Sequence, residues 1–368
     1  MKNKSQKGMA IIMVLMIIGI ISPLITKISY EQRITMQHVS ISEHYNEASI
    51  FTLMVEAFAK SQLLADLKAN KRDGVTDRWQ FPLSSLPIGQ TGATFSGRVV
   101  DLQSKININN ITPVLKSKPK PSDFKDQSTN VVDAAAYNKA MKDYETDKYE
   151  KNKYEVYFIN LLKNLQIEED KIKTIQMSLR DWLDKDSQER EYGGEDEKYS
   201  NFENPRKVFN YMFTDLSELL LVQGITYDIY KKIYPYVSVI PELNAKININ
   251  NAPDVVLKAI LPEEAIPAIG LLLKARKSGH TFESIESFKK EYSKQVGEDL
   301  SDEIAEIIDV KTSYFEAFIK IKYGKSAAYL YSVLNRIDKT KVSVVYRSFG
   351  NFNQHWDGID FTTSTFKL

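Results

Sequence analysis

The sequence predicts an α+β protein: a long N-terminal helix, a small antiparallel sheet, and a large all-α domain inserted into that sheet. Three observations carry the prediction. An almost unbroken apolar run over residues 9–25 continues at helical spacing to about residue 60. Stretches rich in aromatic and β-branched residues stand both at 78–101 and at 314–347. Between them, residues 157–310 place apolar side chains at helical intervals.

The N-terminal element comes first. Lys2, Lys4 and Lys7 precede it without any acid, and Met9 to Ile25 is then interrupted only by Gly19, Ser22 and Pro23. Seventeen or so helical residues at about 1.5 Å each reach roughly 26 Å, enough to cross a hydrocarbon core with little tilt. Lysines on the short flank put that end in the cytoplasm and send the rest across the membrane. No small-residue A-x-A-like site closes the run, as a cleaved secretory signal requires. Ile28, Ile34, Val39, Ile41, Ala48, Phe51, Leu53, Met54, Phe58 and Ala59 carry the periodicity onward among charged residues. One helix over 9–70, half membrane-embedded and half amphipathic, is therefore expected behind a basic segment 1–8.

Residues 71–112 read as the first part of the sheet, with Trp79, Phe81, Phe95, Val99 and Val100 among Pro82, Gly89, Gly92 and Gly97. A phrase then occurs twice, 141 positions apart: Lys105-Ile106-Asn107-Ile108-Asn109-Asn110 and Lys246-Ile247-Asn248-Ile249-Asn250-Asn251. Alternating Ile and Asn suits a strand ending in a turn, and the second copy, followed by Pro253, feeds a helix. Residues 113–156 are a polar insertion with a short helix at Tyr137, Met141 and Tyr144. Residues 157–310 form the inserted helical domain, of helix-hairpin-helix or SAM-like kind. It includes a helix, turn, helix phrase around Gly224 and a second pair whose turn, Leu261-Pro262-Glu263-Glu264, carries acids that repel phosphate. Residues 311–368 return to strands, with a turn at Tyr323-Gly324-Lys325.

Composition narrows the chemistry. The chain has 368 residues and a net charge of +1, which gives nucleic acid no clustered positive surface to bind. It has no cysteine, hence neither disulfides nor thiolate metal sites. His38, His44, His280 and His355 show no HExxH spacing. One cluster stands out. Asp181, Asp184, Asp186, Glu189, Glu191, Glu195 and Asp196 fall within sixteen residues, broken by Gly193-Gly194, which let the chain fold back on itself. Hard oxygens at this density suit calcium, although Glu189 stands where an EF-hand loop requires glycine. From the residues alone a solvated acidic loop remains open, as does a pair of carboxylates in a membrane-anchored glycoside hydrolase. Only Trp182 and Tyr192 lie near enough to serve as sugar platforms.

The Lys7-Gly8-Met9-Ala10 junction resembles the site at which prepilin peptidase cuts after Gly8, leaving Met9 at the mature N-terminus. Ordinary pilins carry glutamate at the fifth mature position; here it is Met13. Further along stand Val100-Asp101-Leu102-Gln103, Asp181-Trp182-Leu183-Asp184-Lys185-Asp186 and Gly193-Gly194-Glu195-Asp196. Ser217-Glu218-Leu219-Leu220-Leu221-Val222-Gln223-Gly224-Ile225, Ile247-Asn248-Ile249-Asn250-Asn251-Ala252-Pro253 and Ser313-Tyr314-Phe315 follow. In this order the chain resembles the general secretion pathway protein K family over nearly its whole length outside about 114–153. The resemblance implies a non-enzymatic minor pseudopilin of the bacterial inner membrane, at the tip of the pseudopilus and bound to minor pseudopilins of the I and J types. It also implies calcium in the helical domain, with Asp181, Asp184, Asp186, Glu195 and Asp196 as ligands, and partner contacts on the N-terminal helix at Ile28, Ile34 and Phe51.

Overall fold

The computed structural model describes residues 5–125, 131–146, 149 and 152–350. Lys2 and Lys4 of the basic flank, His355 and the chain after Gly350 lie outside the described residues. Helix α1 (Ser5–Ala69) is a single rod of 65 residues that passes through Pro23, about 100 Å long at 1.5 Å per residue. Among the described residues its first half packs on nothing: Met9, Ile12, Met16 and Ile20 are all exposed. From Ala48 onward it lies on the sheet, burying Ala48, Val55 and Leu63.

That sheet combines β1 (Leu83–Pro87), β2 (Thr94–Asp101), β7 (Tyr314–Tyr323), β8 (Ser326–Arg336) and β9 (Val342–Phe349) in the order β1-β2-β7-β8-β9, every neighbour antiparallel. β2 pairs β7 along its full length, from Thr94 opposite Lys322 to Asp101 opposite Phe315, although the helical body separates the two in sequence. Buried Glu56 ties α1 to the sheet by accepting from Ser332 Oγ on β8 and, at 2.5 Å, from Arg347 Nη2 on β9. A mixed fold of long helix, small antiparallel sheet and further helices is what the patterning predicts.

The helical body opens twice with the same device. Strand β3 (Ile106–Asn107) pairs in parallel with β4 (Val237–Ser238), and β5 (Ile247–Asn248) with β6 (Ile308–Asp309). In the first copy Asn109 Nδ2 donates to Phe213 O at 3.0 Å and Phe213 N returns a bond to Asn109 Oδ1 at 2.8 Å. In the second, Asn250 Nδ2 and Phe282 O make the same pair at 2.9 Å, answered by Phe282 N to Asn250 Oδ1 at 2.8 Å. Asn107 and Asn248 each accept from the amide two residues on. The repeated phrase is thus a repeated structure. Each amide side chain satisfies two backbone groups of a distant loop that would otherwise be buried unpaired.

Helices α2 (Ala134–Thr146), α3 (Lys153–Asn164), α4 (Glu169–Leu183), α5 (Asp196–Ser200) and α6 (Tyr227–Ile233) belong to the chain between β3 and β4, while α7 (Asp254–Ile260), α8 (Ile266–Lys277), α9 (Ile285–Val296) and α10 (Asp302–Ile307) lie between β5 and β6. Their core centres on Phe158, Ile175, Leu179, Trp182, Val256 and Leu257, all buried. One expectation changes: Leu216–Leu221, read as a helix before Gly224, is a 3-10 helix. Asp215 caps it and Glu218 reaches back to the Asp215 amide, and the three-residue bond from Val222 N to Leu219 O closes its end.

Candidate metal centre and assembly helix

Helix α4 carries Asp181 into the interior beside Trp182 and stops at Leu183, with Asp184 as its C-cap. The chain returns through Gly193, where an added Cβ would stand 2.1 Å from Asp181 Oδ2, so only glycine allows the approach. The approach lets Gly194 N donate to Asp181 Oδ2 at 2.9 Å and Arg190 N at 3.2 Å. Arg190 Nη1 bridges Asp181 Oδ1 and Asp184 Oδ2, at 2.5 Å to each. Asp186 Oδ1 accepts from Gln188 N at 2.8 Å, and its Oδ2 from the Tyr149 hydroxyl at 2.7 Å.

Glu195, the N-cap of α5, completes the group. Oxygens of Asp184, Asp186 and Glu195 lie within 4.8 Å of one another. Glu195 is only 5% exposed, and its Oε1 has no hydrogen-bond partner. Burial, then the charges of Asp181, Asp184, Asp186 and Asp196, push the Glu195 carboxyl up to about 8. Burial also raises Asp181 and Asp184, against the hydrogen bonds from Arg190 that oppose it. An all-oxygen donor set with excess negative charge and an orphaned buried oxygen fits a hard divalent cation.

Of the five acids expected to act together, three converge. Asp181 lies beside them but is taken up by Arg190 and Gly194, and Asp196 Oδ1 accepts from Val208 N at 2.8 Å. Glu189 is paired with Lys198 at 3.1 Å. Sequence reasoning passed over Arg190, although a lone arginine amid seven acids was a visible signal, and Tyr149, which had none. Trp182 offers no platform to a sugar: it is buried, with its ring stacked on Phe213 at 6.1 Å.

On α1, Gly8 and Met9 lie in the first turns of the helix, and Met9 and Met13 are exposed. Ile28 and Ile34 are exposed at 46% and 36%. Phe51, expected to face a partner, is instead half-buried in the cluster that α1 forms with Ile319, Ile321 and Leu330 of its own sheet. The helix periodicity marked Phe51 as apolar; the sheet beneath takes up that face.

Comparison with known proteins points to one family. A family model described as type II secretion system (T2SS), protein K, matches residues 104–242, the segment that contains the acidic cluster. The type II secretion system protein K of Aeromonas hydrophila is 26% identical over 359 residues, covering 94% of this chain and 98% of that protein. The protein of the same name from Pseudomonas aeruginosa is 25% identical over 355 residues, covering 95% and 94%. Over nearly its whole length the chain is similar to type II secretion system protein K. It is a minor pseudopilin of that system, and its apolar α1 suits a single membrane anchor. The protein K fold is shared with a chain in the crystal structure of the GspK-GspI-GspJ complex of the enterotoxigenic Escherichia coli type 2 secretion system. That match has a TM-score of 0.66 at 20% identity and covers 85% of this chain and 99% of that one.

Proposed function

We propose that this protein sits at the tip of the pseudopilus, where it starts or caps the filament in company with minor pseudopilins of the I and J types, and catalyses no reaction. In this reading α1 holds it in the bacterial inner membrane with its N-terminus cytoplasmic and its body periplasmic, after prepilin peptidase has cut between Gly8 and Met9. The observation that carries the proposal is where the helical body joins. Strand β7 runs from Phe315, which packs with Leu63 near the end of α1, to Tyr323, whose ring lies 4.5 Å from His44. At the same end Ser326 Oγ donates to Ile41 O at 2.9 Å. The body is attached at the Phe315 end, so the sheet, about 30 Å of strand at 3.3 Å per residue, separates it from the anchor. A helical body of about 200 residues adds a radius of gyration of about 17 Å there.

A filament grows by heterologous stacking only while each subunit leaves both contact faces free. The body obstructs the distal face, and Met13 supplies no carboxylate for the N-terminal amine of a subunit ahead. The complex named for the structural neighbour, which joins GspK with GspI and GspJ, supports the choice of partners. The test is gold labelling of pili assembled with tagged protein, together with Met13→Glu. One label at one end is expected, with assembly impaired by the substitution; labels at regular intervals along the shaft overturn the tip assignment.

We further read the acidic cluster as a calcium centre held by Asp184, Asp186 and Glu195, with Asp181 and Asp196 adding charge nearby. Calcium there neutralises the excess charge and so fastens the return of the chain after α4. Melting of the full chain in detergent with calcium and with chelator decides it, equal midpoints excluding the centre.

A further inference from the structure

The return of the chain after α4 brings a cation of its own onto the acids. Arg190 is fixed by its backbone: its N–H donates to Asp181 Oδ2 at 3.2 Å, and its carbonyl accepts from Gly193 N at 2.9 Å across a turn in which Tyr192 takes a φ of 70°. From that anchor Nη1 donates to Asp181 Oδ1 and Asp184 Oδ2, at 2.5 Å to each. The side chains of both acids are buried, at 0% and 1% exposed, whereas that of Arg190 is 18% exposed and borders solvent. Asp184 also converges with Asp186 and Glu195, whose Oε1 has no hydrogen-bond partner among the described residues. One carboxylate therefore belongs both to an ion pair with the chain's own arginine and to the oxygen set that suits a hard cation.

We propose that Arg190 is a built-in competitor of calcium at this centre: the two cations share Asp184, and the ion binds fully only when the guanidinium lets that carboxylate go. The proposal rests on the calcium reading. Two like charges on one carboxylate repel, the more strongly where protein rather than water surrounds them. A buried acid stripped of its partner is itself unstable, so one cation replaces the other. Arginine can yield because its long stem reaches water by rotation, while its backbone stays bonded to Asp181 and Gly193. A site whose ligand is held by a competitor in about nine molecules of ten binds about tenfold more weakly than the same site without the competitor. The chain thus neutralises the same acids in two ways, with an arginine that it carries or with an ion that it meets, and the arginine holds the return of the chain until calcium arrives.

The test is calcium titration by calorimetry on the full chain in detergent, wild type against Arg190→Gln and Arg190→Lys, with melting in chelator and in saturating calcium as a second readout. Glutamine keeps a hydrogen-bond donor and removes the charge; lysine keeps the charge. Arg190→Gln should bind calcium about tenfold more tightly than wild type, melt lower in chelator, and return to the wild-type midpoint in saturating calcium. Arg190→Lys should stay close to wild type in affinity. Equal or weaker binding by Arg190→Gln overturns the competition and leaves the calcium centre standing. So does a gain of the same size in Arg190→Lys, which would show that charge is not what competes. A midpoint of Arg190→Gln that stays low in calcium makes Arg190 a structural brace and also refutes the proposal. No calcium binding by any of the three proteins overturns the centre and the competition together.

Discussion

Replacing Arg336 by methionine removes a charge from a heavily bonded point of the fold. Arg336 is 3% exposed and donates to Leu63 O at 3.2 Å, Asp73 Oδ2 at 2.5 Å and Thr312 O at 2.7 Å. It also stands 3.7 Å from Asp66 Oδ2 and 4.9 Å over the ring of Phe315. Methionine keeps much of the packing but leaves Asp66 and Asp73 without their buried cation, beside Asp77, which Arg72 partners at 3.7 Å; the oxygens of the three acids lie within 4.8 Å of one another. Breaking a buried pair by removing one partner costs about 3 to 5 kcal/mol. At about 2 to 4 °C per kcal/mol for a body of this size, the midpoint should fall by roughly 6 to 20 °C. The loss has a pH signature. Burial, then Asp77 and Asp73, already raises the Asp66 carboxyl to about 7, and Arg336 works against that rise. A carboxyl raised in the folded state favours folding while protonated, and that contribution is lost as pH rises through the folded value. The deficit of Arg336→Met should therefore be smaller at pH 5.5 than at pH 8. Melting of the full chain by circular dichroism at both values is the assay. A drop under about 2 °C, or one equal at the two pH values, would refute the reasoning.

Three further outcomes are expected. Because Glu195 is raised to about 8 and must lose its proton to bind metal, the gain in melting midpoint from calcium should be larger at pH 8.5 than at pH 6, and a gain that does not grow with pH removes Glu195 from the ligand set. Asn250→Ala unpairs the Phe282 amide and carbonyl and should cost at least about 1 to 3 kcal/mol; Asn109→Ala, in the matching position, should cost a similar amount, as chemical denaturation will show. Intact-mass spectrometry of protein purified from cells with active prepilin peptidase should find Met9 as the first residue, and an uncut Met1 start would contradict the processing assignment.

Long-period features were legible in the sequence and chance meetings were not. The apolar run and its helical continuation foretold α1, found at Ser5–Ala69, because an unbroken 3.6-residue spacing has no other economical solution. The twin Ile-Asn phrases foretold a shared local turn. Their partners, Phe213 and Phe282, lie 104 and 32 residues beyond Asn109 and Asn250, and no local rule encodes such separations. In the acidic cluster Gly193 and Gly194 signalled a close return of the chain, which Asp181 and Gly194 make. The neutralising Arg190 stood in view among the acids, whereas Tyr149 arrives from a segment without periodicity. Phe51 shows the limit of a helix pattern: it identifies an apolar position, but whether the chain's own sheet or another subunit covers it depends on tertiary packing.

The way the body joins the sheet explains how so large an insertion leaves the pilin-like part whole. Paired strands fix the two crossing points side by side: β2 ends at Asp101, opposite Phe315 near the start of β7. An insertion between adjacent strand ends need not stretch the sheet, whatever its size, because the distance it must close is a single strand spacing of about 5 Å. The same ends are clamped. Buried Asp101 accepts from Thr312 Oγ1 at 2.6 Å, Asn251 Nδ2 at 2.7 Å and Asn248 Nδ2 at 2.9 Å. The second Ile-Asn phrase thereby grips the neck of the domain it opens. Asp73, just beyond the end of α1, accepts from Thr312 N at 2.8 Å and from Arg336. Helix, neck and sheet therefore meet in one buried polar network, and a force applied along α1 reaches the body through hydrogen-bonded side chains rather than through a free linker.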